Sequence, residues 1–279
     1  MSLDWARKTA EQILSRGFIQ SGICLFLGAA DTGKTTLVKA MIERLAENQP
    51  VGIVDADIGQ SHIGPPTTVG WAVAETPEVD FVKLELCGIS FVGDVTPSGH
   101  LLQLTAGLVQ CVEQASKASK LILIDTPGFI RGPAACALWW TIQRILQPQV
   151  IIAVQRNNEL NDILAGLKSL DFRLELIEVP EEIPLKLMQE RQNYRQEKFR
   201  EYFRKAEIFN IDLDKVAVQM SGYVGCGDII GKLVGLRNFG GNDLALGVVL
   251  ERNENIIAIK TTPINIEQVR CIVVGDVTI

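Results

Sequence analysis

The run Gly28-Ala-Ala-Asp-Thr-Gly-Lys-Thr35 constrains this chain more than any other segment. An apolar stretch, residues 23–27, leads into it. A helical pattern with Leu37, Met41 and Leu45 on one stripe leads out. Glycines at its first and sixth positions let the backbone curl until successive N–H groups point inward, and the following helix adds its positive end. A strand, such a loop and a helix in that order cradle phosphate oxygens, and the spacing matches G-x-x-x-x-G-K-[ST]. Lys34 is expected to reach the β- and γ-phosphates, and the Thr35 hydroxyl to ligate Mg²⁺. Gly28, Ala29, Ala30, Asp31, Thr32, Gly33, Lys34, Thr35 and Thr36 are therefore expected to hold a nucleoside triphosphate, ATP or GTP. Asp31 is an unusual guest, because a carboxylate beside a triphosphate is repulsive. It is either a turn residue facing solvent or a group that restrains Lys34 until substrate arrives.

The rest of the first 180 residues alternates short apolar runs with helical patterns. Strands are expected at 23–27, 51–55, 81–86, 89–93, 121–125, 150–154 and 174–179, and helices at 34–46, 99–118, 134–146 and 159–169. Several of the runs are apolar throughout, as in strands buried on both faces of a parallel sheet. The expected fold class is α/β, a P-loop three-layer sandwich with a mostly parallel sheet. The pattern then changes. Residues 184–205 form a charged helical stretch. From Val216 onward glycines punctuate short strand-like runs. The expectation is a P-loop domain over 1–210, including a helical lid at about 184–205, and a small β-rich domain over 211–279.

Bulk properties exclude several classes. A chain of 279 residues that is 47% hydrophobic can build its core without disulfides or metals. Its six cysteines, at 24, 87, 111, 136, 226 and 271, include no C-x-x-C pair and read as buried thiols in a reducing compartment. No signal peptide or membrane span is visible, so a cytoplasmic location is expected. Residues 4–14 read as a polar amphipathic helix. The net charge of -6 gives no general attraction to nucleic acid. Any such binding needs a local patch, and residues 190–205, with six basic residues against three acids, supply one.

Two carboxylate-bearing strand ends follow the loop. In an open α/β sheet such ends line the ligand crevice. The first carries Asp55 and Asp57, two apart, placed to accept a proton from an attacking hydroxyl or to bind Mg²⁺ through water. The alternative is a turn that merely ends the strand. The second is Leu121-Ile-Leu-Ile-Asp125-Thr-Pro-Gly128, in which Asp125 would support Mg²⁺.

Three more segments complete a pattern: Phe91-Val-Gly-Asp-Val-Thr96-Pro97-Ser-Gly-His100, Phe129-Ile-Arg131-Gly132 and Arg191-Gln-Asn-Tyr-Arg195-Gln-Glu-Lys-Phe-Arg200. With the Asp-bearing loop and Asp55-Ala-Asp57-Ile-Gly59-Gln60, this order resembles the polynucleotide 5′-hydroxyl kinase family over about residues 22–205. The resemblance implies transfer of the γ-phosphate of ATP, with Mg²⁺, to 5′-hydroxyl ends of RNA or DNA. It implies Asp57 as general base, Thr96 and His100 as a clasp on the terminal nucleotide, Gln60 near the substrate, and Phe129 as a stacking platform where relatives often carry Trp. Arg195 and Arg200 match lid arginines that neutralise the transferring phosphoryl group. Thr35, Asp57 and Asp125 match the metal site, and Gln155, with Arg156 next to it, sits where the nucleotide base is read. Residues five apart on a straight helix differ by about 140°. Arg195 and Arg200 therefore face one phosphate only if the helix breaks, whereas Arg191 and Arg195 share a face.

Two other functions compete. A nucleotide-switched GTPase or ATPase assembly factor fits Asp125-Thr-Pro-Gly, but Gln155-Arg156-Asn157-Asn158 replaces the Asn-Lys-x-Asp that reads guanine. A non-catalytic ATP-binding scaffold of an RNA-processing complex is disfavoured by the intact set Lys34, Thr35, Asp57, Arg195 and Arg200.

Overall fold

The computed structural model describes residues 2–77, 80, 81, 84–167, 171–222 and 228–279. The chain opens with α1 (Ser2–Leu14), then β1 (Gly22–Gly28), α2 (Lys34–Leu45), β2 (Val51–Asp55), β3 (Thr68–Ala74) and β4 (Gly88–Phe91). It continues with α3 (Leu101–Ala118), β5 (Leu121–Asp125), α4 (Pro133–Leu146), β6 (Val150–Gln155), α5 (Asn161–Ala165), β7 (Arg173–Glu178) and α6 (Met188–Tyr202). Six strands follow: β8 (Glu207–Asp212), β9 (Ala217–Met220), β10 (Lys232–Asn238), β11 (Asp243–Arg252), β12 (Ile256–Thr261) and β13 (Val269–Thr278).

The sheet order is β7-β6-β1-β5-β2-β3-β4-β11-β10-β13-β9, with β12 beside β11 and β8 beside β12. The run from β7 to β2 is parallel throughout. Successive side chains of a strand point to opposite faces. On β1, Cys24 and Phe26 accordingly pack under α1 and α2, whereas Leu25 and Leu27 pack under α3 and α4. Two apolar layers thus sandwich the sheet, and the carboxyl ends of β1, β2, β5 and β6 emerge on one edge. No helix among the described residues is long and apolar enough to cross a membrane.

The later strands join this sheet through one residue pair, Ile89 of β4 opposite Asp243 of β11. The buried Asp243 carboxylate accepts the Phe91 amide at 2.7 Å and two Arg237 donors at 2.9 and 3.0 Å. A charge so placed is tolerated because every oxygen has a donor. Phe199 of α6 packs into the same seam with Ile89, Phe91, Leu233 and Leu246, so the lid helix rests on the C-terminal strands.

Two expectations need correction. Residues 81–86 do not form a strand where they are described (82 and 83 lie outside the described residues), and Phe81 is buried beneath Lys39 instead. The strand is β3, whose sequence TVGWAVA carries the strand-favouring Thr68, Val69, Trp71 and Val73 but is interrupted by Gly70. It needs Gly70 because a Cβ there would come within 2.0 Å of the Ile63 carbonyl oxygen. The helix expected over 159–169 shortens to α5, with 168–170 outside the described residues. Glu159 stays out of it because its carboxylate accepts the Arg156 and Asn157 amides.

Candidate active site

The phosphate-binding loop bridges β1 and α2. Asp31 and Gly33 both lie in the left-handed region, at φ 59° and 82°. Asp tolerates that conformation better than most residues, and Gly adopts it freely. Gly28 ends β1 under a tight ceiling, since a Cβ there would meet the Val154 carbonyl oxygen at 2.3 Å. The Ala29 carbonyl accepts both the Thr32 hydroxyl, at 2.9 Å, and Lys34 Nζ, at 2.7 Å. Lys34 is 5% exposed, and burial holds its pKa below the usual value although Asp125, Asp57 and Asp31 oppose that shift. The ammonium is thus parked on the loop itself.

Asp31 is not the partner of Lys34. Its carboxylate is ion-paired with Arg191 on α6 and accepts the Lys186 amide at 3.0 Å. Its carbonyl accepts Arg156 Nη2 at 2.8 Å, and Arg156 also bonds the carbonyls of Ile183 and Pro180. The segment between β7 and α6 is thereby strapped across the loop.

Asp55 and Asp57 separate in role as soon as the strand ends. Asp55 Oδ2 accepts the amides of His62 and Ile63 and the Ser61 hydroxyl, and its Oδ1 accepts the Asp57 amide at 3.0 Å. It shapes the 57–63 loop and does not line the cleft. Asp57 Oδ1 accepts the Gly59 and Gln60 amides at 3.2 and 3.1 Å, while Oδ2 makes no hydrogen bond among the described residues. Burial raises the Asp57 pKa, with Lys34 the main opposing charge. Asp125 is pushed up to about 6, by burial first and by Asp57 among the rest. Its Oδ2 accepts the Thr35 hydroxyl, whereas Oδ1 is buried with no partner among the described residues.

These groups meet in a cleft of about 450 Å³. Its floor is Ala30–Thr36 numbered 30–36, with Asp57 and Gln60 on one wall and Thr96 and Phe129 on another, and Arg191 and Arg195 above. The backbone of Gly128 lies directly on the loop, for a Cβ there would sit 2.3 Å from the Ala30 nitrogen. Trp139 Nε1 donates to the Phe129 carbonyl at 2.7 Å and fixes that segment from α4. Gln60 Nε2 and the Tyr194 hydroxyl tie the 57–63 loop to α6, through the Arg191 and Ser61 carbonyls.

Three expected site residues stand elsewhere. Gln155 is buried and donates to Asn158 Oδ1 at 3.2 Å, and Arg156 serves the strap, so neither faces the cleft. Arg200 lies with Phe199, Phe203 and Val248 at a separate groove, because α6 runs unbroken and turns that position away. His100 is 1% exposed and turned toward Asp276 of β13. Gly28, Ala29 and Asp125 shape the loop from beneath the cleft wall.

Four residues were not expected: Trp5, Lys39, His62 and Lys186 all line the cleft. Trp5 arrives because α1 docks on α2, with Arg7–Glu43 at 3.1 Å and an Arg44–Glu11 pair. Its ring lies over Gly33, where a Cβ would be 2.9 Å away. Nothing in its sequence position signals this. His62 sits between the Phe81 and Tyr194 rings, and burial, aided by Lys39, Lys186 and Lys198, lowers its pKa to about 3.

A parallel sheet carrying a Gly-x-x-x-x-Gly-Lys-Thr loop, an Asp at the neighbouring strand end and a basic lid defines a P-loop nucleotide-binding protein. The family described as mRNA cleavage and polyadenylation factor CLP1 P-loop matches residues 28–205, and the chain belongs to that family. It is 35% identical over 195 residues to a polyribonucleotide 5′-hydroxyl-kinase of Pyrococcus abyssi, covering 70% of this chain and 54% of that protein. It is 32% identical over 195 residues to the kinase of the same name from Methanocaldococcus jannaschii, again covering 70% and 54%. The chain thus spans about half the length of these curated relatives. Among solved structures, the Clp1p of a Clp1p–Pcf11p complex shares the fold at a TM-score of 0.72 and 11% identity, over 99% of this chain and 78% of that one.

Proposed function

We propose that this chain is an ATP-dependent polynucleotide 5′-hydroxyl kinase that transfers the γ-phosphate of ATP to the 5′-hydroxyl end of RNA. The observation that carries this reading is convergence. The phosphate-binding loop forms the floor of a cleft whose walls come from four other segments, bearing Asp57, Thr96, Phe129 and Arg195. A hydrolase needs no second wall with a partly exposed aromatic ring, whereas a kinase for nucleic-acid ends does.

Phosphoryl transfer is mostly positioning and charge stabilisation. Lys34 leaves the Ala29 carbonyl for the β- and γ-phosphates. Arg195, on the face of α6 that looks down into the cleft, neutralises charge on the transferring group. Asp57 takes the proton of the 5′-hydroxyl at Oδ2, the oxygen its own loop leaves free. Thr96 and Phe129 hold the terminal nucleotide, Phe129 by stacking. The residues present fit Mg²⁺, since Asp125 Oδ1 is buried without a partner among the described residues and the charges of Asp57 and Asp125 both act on Lys34. Thr35, Asp57 and Asp125 would hold it. Bound there, the ion would supply positive charge to offset that of the triphosphate.

The test is transfer of label from γ-labelled ATP to paired RNA and DNA oligonucleotides with 5′-hydroxyl ends, with Mg²⁺ and with EDTA. Label on RNA with Mg²⁺ alone is expected. Release of inorganic phosphate with no labelled oligonucleotide would instead favour the switch reading.

A further inference from the structure

Asp94, His100 and Asp276 bring one ligand atom each to within 4.8 Å of one another, outside the nucleotide cleft. They come from separate elements: the loop after β4, the position before α3, and β13. Backbone contacts fix them together. The Asp276 amide donates to the Gly93 carbonyl at 2.8 Å, the Ser221 hydroxyl donates to the Val92 carbonyl, and a Cβ at Gly222 would meet His100 Nε2 at 2.8 Å.

The histidine is the decisive group. Its Nδ1 lies 3.4 Å from the Ser98 carbonyl oxygen, which can only accept, so Nδ1 carries the proton. The other ring nitrogen, Nε2, faces Asp276 Oδ2 at 3.3 Å. Among the described residues, Nε2 is buried and makes no hydrogen bond, and Asp276 Oδ1 is likewise buried without a partner. A buried imidazole nitrogen and two carboxylates that converge on one point offer ligand atoms to a cation. Lys232 does not serve, because its ammonium bonds the Asp276 main-chain carbonyl at 2.7 Å. Among the described residues no lysine or arginine is ion-paired with either carboxylate.

We infer that Asp94, His100 and Asp276 form a site for a divalent transition-metal ion of the Zn²⁺ type. One imidazole with two carboxylates suits Zn²⁺ better than Mg²⁺, which prefers oxygen and keeps its waters. The placement gives the ion a task. Asp94 and His100 bracket a loop hinged by Gly93 and Gly99, at φ 103° and 83°, whose Val95, Thr96 and Pro97 wall the cleft. Asp94 also acts electrostatically on Arg195. The ion would anchor the acceptor wall to β13 and so tie the C-terminal strands to the cleft.

Zn²⁺ titration of the full chain tests this without reference to catalysis. The protein is stripped with EDTA, carries Asp57→Asn and Asp125→Asn to silence the cleft carboxylates, and holds no nucleotide. One equivalent of Zn²⁺ is expected to bind, to raise the melting midpoint by about 5 °C at a hundredfold excess over Kd, and to slow hydrogen exchange across residues 93–100. His100→Gln and Asp276→Asn should each abolish that equivalent. If either variant does not fold, X-ray absorption at the zinc edge of the unsubstituted chain decides, with one imidazole and otherwise oxygen expected. No stoichiometric binding, binding that survives His100→Gln, or sulfur ligation would overturn the assignment. A site that binds Zn²⁺ without slowing exchange over 93–100 would overturn the anchoring role.

Discussion

Asp31 of the phosphate-binding loop is ion-paired with Arg191 of α6, so the loop and its lid are held together through a residue that repels the ligand both must receive. Arg191 is the natural partner for an incoming phosphate, and Asp31 competes for it. An exchange of partners is the expected consequence of nucleotide binding in this arrangement. Asp31→Asn removes the repulsion and frees Arg191, and is expected to tighten ATP binding by about threefold to tenfold, since a partly exposed pair contributes up to about 1 kcal/mol. Arg191→Ala leaves Asp31 uncompensated beside the phosphates and should weaken binding about tenfold. The double variant should return toward the unsubstituted value, as coupled neighbours do not add. Titration calorimetry on the four proteins checks this, and equal losses in both single variants would refute it.

The two candidate lid arginines separate cleanly. Arg195 lines the cleft, whereas Arg200 lies beside Phe199, Phe203 and Val248. Arg195→Ala is expected to lower kcat by about 10²- to 10³-fold, the usual cost of losing one donor to transition-state charge. Arg200→Ala should change it by less than about threefold. Single-turnover transfer to an RNA 5′-hydroxyl end measures both.

His62 sets a dependence of stability on pH. Its folded pKa, about 3, lies below the unfolded value near 6.5, so between these limits the unfolded chain binds the extra proton. Stability therefore falls as pH drops below 6.5 and continues to fall toward 3, at up to about 1.4 kcal/mol per pH unit from this residue. Chemical denaturation at pH 7.5, 6 and 5 should show the loss. His62→Phe, which keeps a ring between Phe81 and Tyr194, should flatten the profile over the same range.

What was readable in the sequence follows from how local each constraint is. The loop at 28–35, the stripe on α2, and the acids at the ends of β2 and β5 obey spacing rules of a few residues, and the four central parallel strands β6, β1, β5 and β2 are apolar runs. β3 was harder to read because Gly70, which the close approach of the Ile63 carbonyl requires, breaks up its run of strand-favouring residues. The helical period already implied that Arg195 and Arg200 diverge on an unbroken helix. It did not say which one looks down, since that depends on Phe199 seating in the seam between β4 and the C-terminal strands. His100 and Asp276 lie 176 residues apart in number (276 less 100), and no local pattern announces a pair made by folding alone. Trp5 reaches the cleft only because α1 docks on α2.

Phe129 and Gly128 are adjacent, yet they should fail differently. Phe129 lines the cleft at the wall proposed to receive the acceptor, and Trp139 bonds its carbonyl. Phe129→Ala therefore removes a stacking face and leaves the backbone in place. A stacked base contributes about 1–3 kcal/mol, so KM for an RNA 5′ end should rise by about fivefold to a hundredfold while KM for ATP stays constant. Phe129→Trp should restore or improve acceptor binding through its larger face. Gly128, by contrast, touches the loop itself, and a methyl group there would come within 2.3 Å of the Ala30 nitrogen. Gly128→Ala must push the loop aside, so KM for ATP rises along with that for RNA. Steady-state kinetics with each substrate varied in turn separates the two. If Phe129→Ala raised KM for ATP as strongly as for RNA, the ring would be supporting the loop rather than receiving a base.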